Sequence, residues 1–169
     1  AGSGERTTQA RLDFETLRLP PEISAFPDKS LNRDLYLWLA ALAACDDSPA
    51  EPWHLRNQRA TLNALRHYPG LKPRYERLVD AHLATRIAPE SMRDDEAAQE
   101  AALRQAMREP GSLERFPPLY HRDSRPPQPV LLWLVASSTA VPRTDGASGD
   151  GAPHEGSGSN STENPAHKA

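Results

Sequence analysis

Apolar positions along the chain fall into helical blocks framed by two short apolar runs. From Arg11 to Leu19 the apolar residues are Leu12, Phe14, Leu17 and Leu19. The first pair alternates as strand side chains do, which predicts a short strand. Pro20 and Pro21 end it, because neither can donate to a ladder. The next block is the most regular: Leu31, Leu35, Trp38, Leu39 and Leu42 form one face of a helix from Leu31 to about Ala44. Tyr36, Leu37, Ala40, Ala41, Ala43 and Ala44 widen that face. Ser30 is a suitable N-cap, and Asp34 sits near the positive end of the helix dipole.

A second helix is predicted from Pro52, a residue suited to a first turn, to Tyr68, with Leu55, Leu62 and Leu65 on one side. A third runs from near Pro73 to Ile87 with Tyr75, Leu78, Val79, His82 and Leu83 as its stripe. Ala88-Pro89 stops it. A fourth runs from about Asp94 to Arg108, acidic at its start and basic at its end, as the macrodipole favours. Its inward face is thin: Ala98, Ala102, Leu103, Ala106 and Met107. From Phe116 to Pro129 the chain is proline-rich and irregular. Val130 to Val135 is a short apolar element whose length suits a strand, one able to pair with the strand near Leu12.

The fold class expected is all-α: a compact bundle of about four helices, two short terminal strands and a disordered C-terminal tail. The domains are a disordered N-terminal segment 1–10, a helical domain 11–136 and a disordered Gly/Ser/acidic linker 137–169. From Pro142 onward almost nothing is apolar, and such a segment cannot offset the entropy of ordering. The helices recur at a spacing near 20 residues, so a helical repeat stands beside the compact bundle as an alternative.

Composition narrows the function classes. Hydrophobic residues make up 37% of the 169, which is thin for a chain folded throughout. The net charge of −3 argues against a nonspecific nucleic-acid binder. The one cysteine, Cys45, excludes an internal disulfide and suits a reducing, cytoplasmic setting. The polar start shows no signal peptide, and the apolar run from Leu35 to Cys45 is too short to span a bilayer. A first residue other than Met reads as an excised piece of something longer.

Chemistry is sparse. There is no phosphate-loop pattern, no His-Glu-x-x-His and no cysteine pair, so no cofactor, metal or catalytic residue is assigned. The histidines His54, His67, His82, His121, His154 and His167 show no i, i+3 or i+4 spacing, and His82 on its stripe reads as a core histidine. Asn160-Ser161-Thr162 is a chance sequon.

Charge says more. Arg56, Arg59, Arg66, Lys72, Arg74, Arg77 and Arg86 stand against only Glu76 and Asp80 between Arg56 and Arg86. Glu90, Asp94, Asp95, Glu96 and Glu100 follow against Arg93. The bland reading is a solvated helix surface. The functional one is a docking surface for an acidic partner, with Arg56, Arg59, Arg66, Lys72, Arg74 and Arg77 as its candidates.

The stretch Leu19 to Ala44, with Phe26-Pro27-Asp28, Leu31-Asn32 and Leu35-Tyr36-x-Trp38-Leu39-Ala40-Ala41 at its centre, resembles the region upstream of the von Willebrand factor A domain in the NorD/CbbO family. Tyr68-Pro69-Gly70-Leu71 and Leu132-Trp133-Leu134 extend the likeness to about Leu17–Val135. The resemblance implies a non-enzymatic adaptor role in activating nitric oxide reductase or rubisco. It also implies work with a MoxR-type AAA+ ATPase of the NorQ/CbbQ kind, which hydrolyses the ATP. The family's metal motif lies in its C-terminal von Willebrand domain. Asp46-Asp47-Ser48-Pro49-Ala50 approaches that motif but follows a helix instead of a buried strand, and reads as a helix-stop loop. The alternatives are a free-standing helical-repeat module that binds peptides and an enzyme with a dispersed site. No nucleic acid or membrane insertion is expected.

Overall fold

The computed structural model describes residues 24–135 and, ahead of them, the short strands β1 (Arg11–Asp13) and β2 (Thr16–Arg18). Four helices build the domain: α1 (Lys29–Ala44), α2 (Trp53–His67), α3 (Lys72–Thr85) and α4 (Asp94–Arg108). Short 3₁₀ turns at Pro69–Leu71 and Pro89–Ser91 lead into α3 and α4. The all-α expectation holds, with four helices among the described residues. The expected segments 1–10 and 137–169 lie outside them.

α1 begins two residues ahead of its expected start. Asp28, not Ser30, is the N-cap, and its carboxylate accepts from the Ser30 N–H at 2.7 Å. Asn32 then clasps the incoming chain: its side chain accepts from Phe26 N and donates to Phe26 O, both at 2.8 Å. Phe26 is thereby held in the core with Leu35, Trp38, Leu39 and Leu42. Tyr36 and Leu37, expected to widen this buried face, point instead to solvent.

α2 corrects a second expectation. Its inner face is Arg56, Asn57, Gln58, Ala60, Thr61 and Ala64, while Leu55 and Leu65 are half-buried and Leu62 is 41% exposed. Buried polar groups are tolerable only when satisfied, and these are. Gln58 donates to Leu113 O at 2.9 Å and accepts from Gly111 N and Leu113 N. Thr61 donates to Asn57 O at 2.7 Å. Arg56 Nε meets Asp46 Oδ2 at 3.0 Å. Gly111 has φ 93°, and a Cβ there would stand 3.0 Å from Leu62 Cδ1, so the turn after α4 requires glycine.

α3 buries the expected stripe of Tyr75, Leu78, Val79, His82 and Leu83, and ends at Thr85, two residues short of Ile87. α4 has the expected limits. Ala98 is exposed, however, and Asp95, Gln99 and Glu100 are buried in addition to Ala102, Leu103, Ala106 and Met107.

Of the strand expected from Val130 to Val135, residues 130–134 are not strand, and Val135 alone takes part in a β-bridge. β1 pairs with β2 as an antiparallel hairpin, Leu12 opposite Leu17. Residues 130–133 form a turn, with Trp133 N donating to Val130 O at 3.2 Å. Side chains bind residues 132–134. Trp38 Nε1 donates to Leu132 O at 2.9 Å, and Trp53 Nε1 to Leu134 O at 3.0 Å. Asn57 brackets Leu134, accepting from its N at 2.7 Å and donating to its O at 3.0 Å. The closing apolar run is thus threaded across the helices as part of the core.

Candidate functional site

The basic residues singled out in the sequence separate into two groups. Arg56 is buried and engaged by Asp46, so it belongs to the fold and offers nothing to a partner. The other five are exposed. Arg59 donates to Ser48 at 3.1 Å and lies 3.9 Å from Glu51. Lys72 meets Glu76 at 4.0 Å. Arg77 and Arg74 share one carboxylate, Asp34, at 2.7 and 3.7 Å. Arg66 has no ion pair among the described residues.

Arg59 and Arg66, two turns apart on α2, rim a shallow groove of about 330 Å³. Leu55, Leu62 and Leu113 supply its apolar lining, and Glu51, beside Arg59, and Glu114 line it too. The stems of the two arginines flank exposed Leu62 instead of sealing a core. Of the leucines that the periodicity assigns to the interior of α2, Leu55 and Leu62 therefore line its outer groove, while Leu65 packs against the core.

The acidic turn acts as a clasp. Asp95 is buried at the start of α4 and accepts from Tyr120 N at 3.0 Å, His121 N at 3.1 Å and the Ser124 hydroxyl. Burial alone would raise its pKa, but these donors outweigh burial and hold the carboxyl well below the usual range. Asp94 accepts from Tyr120 Oη and contacts His121 Nε2 at 2.8 Å; Glu96 accepts from Arg125 N, and Arg93 pairs with Asp123. The irregular stretch from Phe116 to Pro129 is pinned this way, with Gln99 holding Pro117 O at 2.7 Å. Asp94, Asp95 and His121 bring ligand-type atoms within 4.8 Å of one another, a grouping not visible in the histidine spacing. The same carboxylates accept from the loop at Tyr120, His121 and Ser124 and from the first turn of α4 at Asp95 N and Glu96 N.

His82 joins α3 to the closing segment. Its Nε2 accepts from Leu131 N at 3.2 Å and faces Arg86 Nη1 at 3.4 Å, while Nδ1 has no partner among the described residues. Burial first, and then the charge of Arg86, lower its pKa to about 4 from an ordinary 6.5. Between those values the unfolded chain takes up a proton that the folded one refuses. Stability is therefore full above pH 6.5 and falls as pH drops toward 4, by about 3 kcal/mol in all. Chemical denaturation across this window should show that decline, and His82→Gln should flatten it. An unchanged slope in the variant would assign the decline to other groups.

These features define a small all-α domain whose buried charges are engaged by its own chain and which exposes Arg59 and Arg66 on α2 and Arg74 and Arg77 on α3. Its sequence is homologous to a segment of the proteins named NorD. "Protein NorD" of Stutzerimonas stutzeri is 43% identical over 155 residues, covering 89% of this chain and 24% of the relative. "Protein NorD" of Brucella abortus is 37% identical over 159 residues, covering 83% of this chain and 25% of the relative. An uncharacterized protein of Pseudomonas aeruginosa is 41% identical over 150 residues. The chain spans about a quarter of the length of these curated relatives. No family model and no solved structure matches it. No helix among the described residues is long and apolar enough to cross a membrane.

Proposed function

We propose that this chain is a non-catalytic adaptor domain of a NorD/CbbO-like protein, and that it helps a MoxR-type AAA+ ATPase activate a target enzyme. The observation that carries this reading is the 43% identity to a protein named NorD along most of the chain. That name favours nitric oxide reductase over rubisco as the target. In this reading the ATPase supplies the energy of ATP hydrolysis, and this domain supplies binding surface and orientation. A von Willebrand factor A domain would lie elsewhere in the protein, cytoplasmic like the domain itself.

Arg59 and Arg66 are the side chains best placed to meet an acidic partner, because both are exposed on one side of α2 and border apolar surface. Opposite charge speeds encounter and sets orientation, and salt screens it. A pull-down of the protein with its cognate ATPase and with the reductase tests the reading. Wild-type binding should weaken as salt is added, and Arg59→Glu/Arg66→Glu should bind less, with a slower on-rate and an unchanged melting temperature. Full binding by a folded double variant would remove this surface, and wild-type binding to neither protein would remove the adaptor reading itself.

A further inference from the structure

A second groove, between α1 and the start of α3, differs from the first in size and lining. It encloses about 650 Å³, and Leu37, Ala41, Tyr68, Leu71, Pro73 and Arg74 line it. Leu37 is 43% exposed and Tyr68 49%, although both are large and apolar enough to serve a core. These side chains share one groove, so a molecule seated there would take them out of water together.

Gly70 adds an independent observation. It also lines the groove, its φ is not positive, and a Cβ built on it meets nothing within 4 Å. Neither the backbone conformation nor packing within the described residues requires glycine there. A bare Cα does permit close approach by a second chain.

The charge around the groove is basic. Arg74 and Arg77 lean on a single carboxylate, Asp34, whose side chain is only 13% exposed while both arginines are more than half exposed. One positive charge is therefore uncompensated at that lip. Arg33, exposed beside Asp34 and one turn before Leu37 on α1, adds another at the same end. From Arg33 through Leu37 to Ala41 the wall runs about 12 Å, or two turns of a docked helix.

We propose that this groove receives an amphipathic helical segment of a partner protein. Its apolar stripe would cover Leu37, Tyr68 and Leu71, and its flanking carboxylates would meet Arg33 and Arg74. The inference deepens the adaptor reading and rests on it for the existence of a partner. Its chemistry is tested without one.

The probe is a synthetic amphipathic peptide with leucines along one helical face and glutamates beside them. Its analogue carries lysines in place of the glutamates, and both are titrated by fluorescence anisotropy against the full chain. The glutamate peptide should bind, more weakly as salt is added, and the lysine analogue should not. Gly70→Trp fills the groove from a position with open space around it, and Arg33→Glu/Arg74→Glu reverses the charge at its basic end. Each should weaken the glutamate peptide at least about tenfold, the scale of losing an anchor contact, with melting temperatures unchanged. Failure of the glutamate peptide to bind, equal binding by a folded Gly70→Trp variant, or equal binding of the lysine analogue overturns the proposal. Self-association abolished by Gly70→Trp assigns the groove to a second copy and overturns it too. Peptide binding retained by a protein that ignores both ATPase and reductase would support the groove and refute the adaptor reading, so the two failures are distinct.

Discussion

Glu100→Ala should destabilise the domain by about 3–5 kcal/mol, the cost typical of breaking a buried ion pair from one side. Glu100 lies in the core with both oxygens engaged: Arg86 Nε donates to Oε1 at 2.8 Å and Arg86 Nη2 to Oε2 at 2.7 Å. Arg104 adds a third bond to Oε1 at 3.1 Å. Burial would raise the Glu100 pKa, but the Arg86 hydrogen bonds and charge, followed by those of Arg104, hold it below the ordinary carboxylate value. Arg86 also donates to Pro129 O at 2.7 Å and Gln128 O at 3.1 Å, tying α3, α4 and the proline-rich segment together. Removal of the carboxylate leaves a buried guanidinium without its counter-charge, held only by two carbonyls and the neighbouring His82 ring. Urea unfolding of wild type, Glu100→Ala and Glu100→Leu/Arg86→Met measures the effect. The double variant should recover much of the loss, because apolar residues of similar volume remove both desolvated charges at once. A single variant within 1 kcal/mol of wild type would mean that water reaches the pair.

Trp38→Ala should cost a similar amount, about 3–5 kcal/mol, as large aromatic truncations in cores do. The indole is 1% exposed in the middle of α1, and its ring centroid lies 4.5 Å from that of Tyr75 on α3. Its Nε1 donates to Leu132 O, 94 residues away. The variant would leave a cavity where α1, α3 and the closing segment meet, and would free a buried carbonyl. Trp38→Phe separates these two losses: it keeps most of the apolar volume, and leaving Leu132 O unsatisfied should cost about 1–3 kcal/mol. Equal unfolding midpoints for Trp38→Phe and wild type would mean that the bond to Leu132 O contributes nothing.

Why the helices were legible and their surfaces were not follows from particular residues. α1 and α3 carry leucine, tryptophan and tyrosine at helical spacing, so periodicity alone points to their buried sides. α2 misleads because Leu62 is exposed, Leu55 and Leu65 are only half-buried, and its inner side includes Arg56, Asn57, Gln58 and Thr61. A polar residue reads as surface unless its partners are known, and here they are Asp46, Leu134, Gly111 and Leu113. The same distance in sequence hid the neutralisation of the basic stretch. Asp46 and Asp34 precede the counted window and Glu100 follows it, yet they engage Arg56, Arg77 and Arg86.

By itself the sequence determined the helix count, the limits of α4, the stripe of α3 and the resemblance to NorD-type proteins. Each is a local property of the chain: a repeat of 3.6 residues, a breaker, a terminal charge or an ordered set of short blocks. Tertiary structure decided which side of α2 is buried, that residues 132–134 are bound by indole and amide groups, and which arginines remain available. Those outcomes depend on hydrogen bonds across separations such as the 77 residues between Asn57 and Leu134. A buried polar group is stable only once such a partner is in place, and no window along the sequence contains both ends of the bond.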